Sequence, residues 1–170
     1  LFAGVFAAAA FARLSRPPAV AALVDLRLAL GSLFGVALLG LVPFSAVREE
    51  EPEGEVDTRF GLVGGGVAVT LPRGRRLWKG FLEVGLTAAL FRIEGIPAGG
   101  YEGHEGLLAS PAPYARGGAS LRVAERLRLR LDLLAGVTTA KIVVSMAGRR
   151  AAAYGEPFLG IALGAELGLL

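Results

Sequence analysis

From Glu125 to Leu133 the chain reads ERLRLRLDL, with a leucine at every second position and Arg128, Arg130 and Asp132 between them. Alternation of period two predicts a strand whose two faces meet different surroundings. On a helix each step of two residues turns the side chain by about 200°, which would scatter the leucines around the whole circumference. Residues 157–170, PFLGIALGAELGLL, repeat the pattern: Leu159, Ile161, Leu163, Ala165, Leu167 and Leu169 share one face, and Phe158, Gly160, Ala162, Gly164, Glu166 and Gly168 share the other. A soluble sandwich turns its large apolar residues toward a core and rarely leaves an outer face of glycine and alanine. Here the small face also carries the charge, which predicts a narrow barrel with its exterior in lipid and a cramped, polar interior.

A tilted strand crosses a bilayer in about ten residues, and eight apolar segments approach that length: residues 2–13, 19–30, 33–43, 58–71, 77–91, 114–123, 127–138 and 157–169. The connections alternate in length. Gly31-Ser32, PRGRR at 72–76 and Ala124 to Arg126 are short turns. LSRPP, the acidic stretch REEEPEGEV, a long loop from Arg92 to Pro113 and an excursion from Thr139 to Glu156, itself patterned as a hairpin, are long. Short turns at one rim and long loops at the other are the layout of bacterial outer-membrane barrels, with the long loops extracellular. Val123 and Leu127, flanking one turn, fall on the same lipid-side parity, as a hairpin requires. The expectation is a single all-β domain over residues 1–170, an eight-stranded antiparallel up-and-down transmembrane β-barrel.

Two alternatives stand beside this. LALGSLFGVALLGLVPF is nearly long enough for a membrane helix, so a helical hairpin competes for residues 1–44. LFAGVFAAAAFA also has the look of the end of a secretory signal; reading residues 2–13 as a strand makes the count even. An upstream segment is expected before Leu1. The Gly64-Gly65-Gly66 run marks either a bulge or a close approach of neighbouring backbone or bulky side chains.

Hydrophobic residues make up 54% and the mean hydropathy is +0.57, yet charged residues are 19% and run through the apolar segments, where a helical membrane protein would confine them to loops. The net charge of +3 is mostly arginine interleaved with leucine, without a basic patch and aromatics, so nucleic acid is not the expected partner. The absence of cysteine excludes disulfides, zinc fingers and thiol catalysis.

PYARGGASLRV, RLRLRLDLLAG, AGRRAAAYGEP and the terminal FLGIALGAELGL together resemble the small outer-membrane β-barrels of Gram-negative bacteria, the OmpA/OmpX/OmpW-like superfamily, most clearly over residues 58–170. The resemblance implies residence in the bacterial outer membrane, with the lipid bilayer as the main partner and long loops available to a surface partner. Barrels of this kind commonly end in an aromatic residue, where this sequence has Leu169-Leu170.

Parity places Asp25, Arg27, Lys79, Glu83, Arg116, Arg122, Arg128, Arg130, Asp132 and Glu166 in the interior. The charge cluster expected to plug the lumen is Lys79, Glu83, Arg122, Arg128, Arg130, Asp132 and Glu166, since an eight-stranded barrel is just wide enough to be filled by side chains. Trp78, Phe91 and Tyr114 lie near the expected rims and suit the membrane interface. His104, the only histidine, sits in YEGHEG near Glu102, Glu105 and Ser110, but no strand presents a serine and histidine at matched positions. No catalytic residue is expected. Glu49, Glu50, Glu51, Glu53, Glu55 and Asp57 concentrate acid without the spacing of an EF-hand, so neither a metal site nor a cofactor is expected. Three functions follow: a structural or surface-interaction barrel with a plugged lumen, a narrow channel or carrier for small hydrophobic molecules, or a soluble lipocalin-like barrel. The last requires Leu127, Leu129 and Leu131 to point inward.

Overall fold

β-branched and leucine-rich alternation drives the chain into strands, and the computed structural model describes residues 1–11, 18–51, 54–71, 77–97, 105–140, 142–146, 149–154 and 157–169. Eleven strands occur among them: β1 (Phe2–Phe11), β2 (Ala19–Leu30), β3 (Phe34–Pro43), β4 (Val47–Glu51), β5 (Gly54–Leu71), β6 (Trp78–Pro97), β7 (Glu105–Arg122), β8 (Leu127–Val137), β9 (Ile142–Met146), β10 (Arg149–Tyr154) and β11 (Pro157–Gly168). Every pairing is antiparallel. β1 lies between β2 and β11, β11 pairs with β8, and β7, β6 and β5 follow in turn. The β3–β5 ladder, Phe34↔Val69 to Leu41↔Leu62, closes the sheet into an eight-stranded barrel. β4 folds back along β5 outside the ring, and β9 with β10 forms a separate two-stranded ribbon.

The helical hairpin considered for residues 1–44 is replaced by β1, β2 and β3, and no helix among the described residues is long and apolar enough to cross a membrane. Gly31, with φ +81°, takes the left-handed conformation the β2–β3 turn needs.

Two expected loops are corrected. The stretch from Arg92 to Pro113 is mostly strand, because β6 and β7 keep pairing from Trp78↔Leu121 out to Glu94↔Glu105. The acidic stretch is largely the β4–β5 hairpin, Val47↔Thr58 to Glu51↔Gly54. Strands of 18 to 20 residues, such as β5, β6 and β7, are about twice what a bilayer needs. This part of the wall stands beyond the membrane as a sheet at the end opposite the short turns. The PRGRR turn lies outside the described residues.

Exposure follows parity. Leu131 is 47% exposed, and with Val24, Leu26, Leu38, Val63, Val67, Leu82, Val84, Leu129, Leu133 and Leu163 it forms a continuous apolar outer surface. The buried residues on the other face of each strand are those of a filled interior. Because Leu129 and Leu131 point outward, the lipocalin-like reading is overturned: its ligand cavity would need them inside.

Candidate functional site

The lumen is built in tiers set by the ladders. At mid-height seven charged side chains interlock. Arg116, on β7, donates from Nη2 to Asp25 Oδ2 at 2.8 Å and from Nε to Asp132 Oδ2 at 3.1 Å. Arg130, on β8, donates to Asp132 Oδ1 at 2.9 Å from Nε and is ion-paired with both Asp25 and Glu166. Arg27 donates to Glu83 Oε2 at 3.1 Å, and Tyr114 donates its hydroxyl to Glu83 Oε1 at 2.7 Å. Strands β2, β6, β7, β8 and β11 thus contribute to one knot.

Aromatic rings brace the cations from both sides. The Arg27 guanidinium lies 4.2 Å from the centroid of Phe81, and that of Arg130 lies 4.3 Å from Phe6 and 4.8 Å from Phe81. A desolvated cation over a ring gains up to about 2 kcal/mol. Withdrawing an ion from water costs several, so the rings supplement the carboxylates and cannot replace them. Glycines make the room. A Cβ on Gly118 would lie 2.5 Å from Asp132 Oδ1 and 2.6 Å from the Phe81 ring, and one on Gly4 would meet both Asp25 and Phe6.

Toward the long-strand end the filling turns apolar. Phe60, Phe91 and Phe158 cluster, with ring centroids 5.1 Å apart for the first two and 5.4 Å for Phe60 and Phe158, among Leu39, Leu41, Leu62 and Leu134. Toward the short turns the lumen opens into two adjoining cavities of about 380 and 340 Å³ that share Phe2, Lys79 and Arg128.

The expected interior residues fall in two groups. Glu83, Arg130, Asp132 and Glu166 belong to the knot, together with Asp25, Arg27 and Arg116. Lys79, Arg122 and Arg128 stand at the turn-end mouth, Arg128 being held by Ser120 Oγ at 3.0 Å and the Leu77 carbonyl at 3.1 Å. Of the expected interface residues, Trp78 is 58% exposed at the turn end. Phe91 and Tyr114 are corrected: they are 2% and 5% exposed and lie inside the barrel. Both are on the inward parity, Phe91 with Glu83 on β6 and Tyr114 with Arg116 on β7, and Tyr114, opposite Gly85 and Gly136 and bonded to Glu83, is at the height of the knot and not of a rim. That parity was the available signal for the aromatic tier and for the Tyr114 bond.

No protein-family model and no curated protein matches the chain. Solved structures match over nearly its whole length. Neisserial surface protein A aligns with a TM-score of 0.60 at 13% identity, over 98% of this chain and 94% of that one. Ail, the attachment invasion locus protein of Yersinia pestis, gives 0.54 at 9% over 98% and 94%. The outer membrane protein AlkL, determined in DMPC lipid bilayers, gives 0.53 at 13% over 98% and 88%. The chain is a transmembrane β-barrel. At such identities the likeness is one of fold.

Other sequence candidates for chemistry are dispersed on the barrel. Ser110 is buried, donates to the Pro111 carbonyl at 3.3 Å and accepts from the Ala140 amide at 3.1 Å, while Glu105 is paired with exposed Arg92 at 2.8 Å. His104 and Glu102 lie outside the described residues. In the acidic stretch Arg48 binds Glu55 and Asp57, each at 2.8 Å. Hydrogen bonding from Arg48 holds the Asp57 carboxyl below the usual carboxylate range. Among the described residues no group of three or more acidic or histidine side chains is placed to hold a metal.

Proposed function

We propose that this is an outer-membrane protein with a structural or surface-interaction role whose lumen is closed by side chains, and that it is not an enzyme. The observation that carries the reading is the knot of Asp25, Arg27, Glu83, Arg116, Arg130, Asp132 and Glu166, tied across five strands and backed by Phe60, Phe91 and Phe158. A pore needs a continuous wet path; this lumen has ions fixed to one another with rings packed above them. The sheet formed by β4 and the outer halves of β5, β6 and β7, with Arg48, Arg59, Arg92, Glu94 and Glu105 on it, is the surface offered outside the cell. Support for a surface role comes also from the fold neighbours, one of them named for attachment and invasion and also determined with a heparin analogue, sucrose octasulfate. The test is conductance of the refolded protein in a planar bilayer. No steady conductance is expected; an open wild-type pore whose selectivity changes in Glu166→Ala would establish the channel reading instead.

A further inference from the structure

The interior charges are not evenly spread. The four carboxylates Asp25, Glu83, Asp132 and Glu166 and the three guanidiniums Arg27, Arg116 and Arg130 are gathered in the knot. The remaining interior cations collect at the turn-end mouth. Arg122 and Arg128 are direct cross-strand partners on β7 and β8. Lys79 on β6 pairs with Ser120, the next inward position along β7 from Arg122. Like charges directly opposite each other destabilise a sheet, and here three cations from three consecutive strands face one space.

The compensating acids are few. Glu166 lies across from Arg128 but is ion-paired to Arg130, and Glu125, on the turn, shares the mouth with a further cation, Arg126. Among the described residues Lys79 and Arg122 have no hydrogen bond or ion pair from their side chains. The space they face is real: the 340 Å³ cavity is lined by Phe2, Lys79, Arg122, Glu125, Arg126, Arg128 and Gly168. It runs into the 380 Å³ cavity, whose walls include Phe2, Phe34 and Phe81.

We propose that the turn-end mouth is a binding site for a phosphate group, held by Lys79 and Arg122 in the positive field of Arg128. The Arg122 guanidinium presents a forked donor and the Lys79 ammonium a second group, while Arg128, already bonded to Ser120 and the Leu77 carbonyl, adds its positive charge beside them. A tetrahedral dianion turns three oxygens outward and carries a second charge, so it meets cations converging from several directions, whereas a carboxylate offers two oxygens in one plane and a single charge. The apolar walls behind leave room for the rest of a phosphate-bearing molecule. The phosphate comes either from a soluble compound or from the headgroup of a lipid in the adjoining leaflet.

The test uses the refolded barrel in dodecyl maltoside micelles, which carry no phosphate, with inorganic phosphate as the probe and chloride at matched ionic strength as control. Phosphate should raise the urea midpoint of the wild type. In the double variant Lys79→Gln/Arg122→Gln the affinity should fall roughly tenfold or more. Without phosphate that variant should be at least as stable as the wild type, since it relieves repulsion and leaves the knot intact. A wild type that responds no more to phosphate than to chloride overturns the proposal. So does an equal response in the double variant, or a double variant already less stable in the absence of phosphate, which would make the two cations structural. Repeating the titration in phosphatidylglycerol nanodiscs separates the sources. A diminished phosphate response there means that the headgroup occupies the site, and an undiminished one means a soluble phosphate compound; either outcome supports the site.

Discussion

Replacing Asp132 with alanine would take the shared acid from both Arg116 and Arg130, each almost wholly buried. Breaking one partner out of a buried ionic set typically costs 3 to 5 kcal/mol, because the other charge is left in a poor dielectric. We expect Asp132→Ala to destabilise by about that much in urea unfolding from vesicles. Glu166→Ala should cost less, about 1 to 3 kcal/mol, since Glu166 borders the 380 Å³ cavity where water can reach Arg128 and Arg130. Equal costs for the two would show that the mouth is as dry as the knot. Tyr114→Phe removes one charge-assisted bond while Arg27 still serves Glu83, and should cost about 1.5 to 3 kcal/mol in the same assay. At this scale the alternation in the sequence made the inward charges legible, because period two leaves no freedom in which face a side chain takes. For Phe91 and Tyr114 parity points inward, against an interface, and for Tyr114 the extension of β7 to Glu105 also carries the rim well beyond it.

Within the elements, the glycine run of β5 shows what local pattern leaves open. The register passes through Gly64, Gly65 and Gly66 without a shift, so there is no bulge. Gly66 pairs with Gly85, and Tyr114 lies over both: a Cβ on Gly66 would be 2.9 Å from its hydroxyl, and one on Gly85 2.8 Å from its ring and 2.3 Å from the Gly65 carbonyl oxygen. We expect Gly85→Ala to destabilise by about 1 to 3 kcal/mol through overpacking, measured by urea unfolding, and truncation of the ring in Tyr114→Ala to recover part of that loss. The outer half of β7, expected as part of the loop from Arg92 to Pro113, runs through Pro111 and Pro113. The Pro111 carbonyl accepts from Thr139 on the side away from β6. The donor that Pro111 lacks therefore faces the side where β8 has already ended, and no ladder bond is lost there. In the β4–β5 hairpin, Arg48 lowers the Asp57 pKa. A group lowered in the folded state contributes stability that is present above its unfolded pKa and lost as pH falls through the folded one. NMR shifts of Val47 and Thr58 should accordingly move toward unpaired values below about pH 4, and Arg48→Gln should show them already near neutrality.

For the whole molecule, the outward leucines and valines set a depth scale. An arginine at Leu131, near mid-span, should cost about 2 to 4 kcal/mol, whereas one at Leu77 beside exposed Trp78 should cost about 0 to 1. Equal tolerance in bilayer unfolding would contradict the transmembrane placement. The eight-strand count and the alternation of short and long connections were readable because each span leaves its own apolar parity. The extended outer sheet was not, since beyond the bilayer both faces meet water or other polypeptide and the alternation loses its meaning.

The ladder joining Phe2–Phe11 to Leu159–Gly168 brings together opposite ends of the 170 residues. During synthesis β1 therefore waits, with one edge bare, until β11 has been made. Because closure depends on this most distant of contacts, loop entropy weighs against it until the other ladders are in place. The half-made sheet has two open edges and an apolar face, a form that invites pairing with other chains. Until that last ladder forms, such a chain is open to aggregation at both edges.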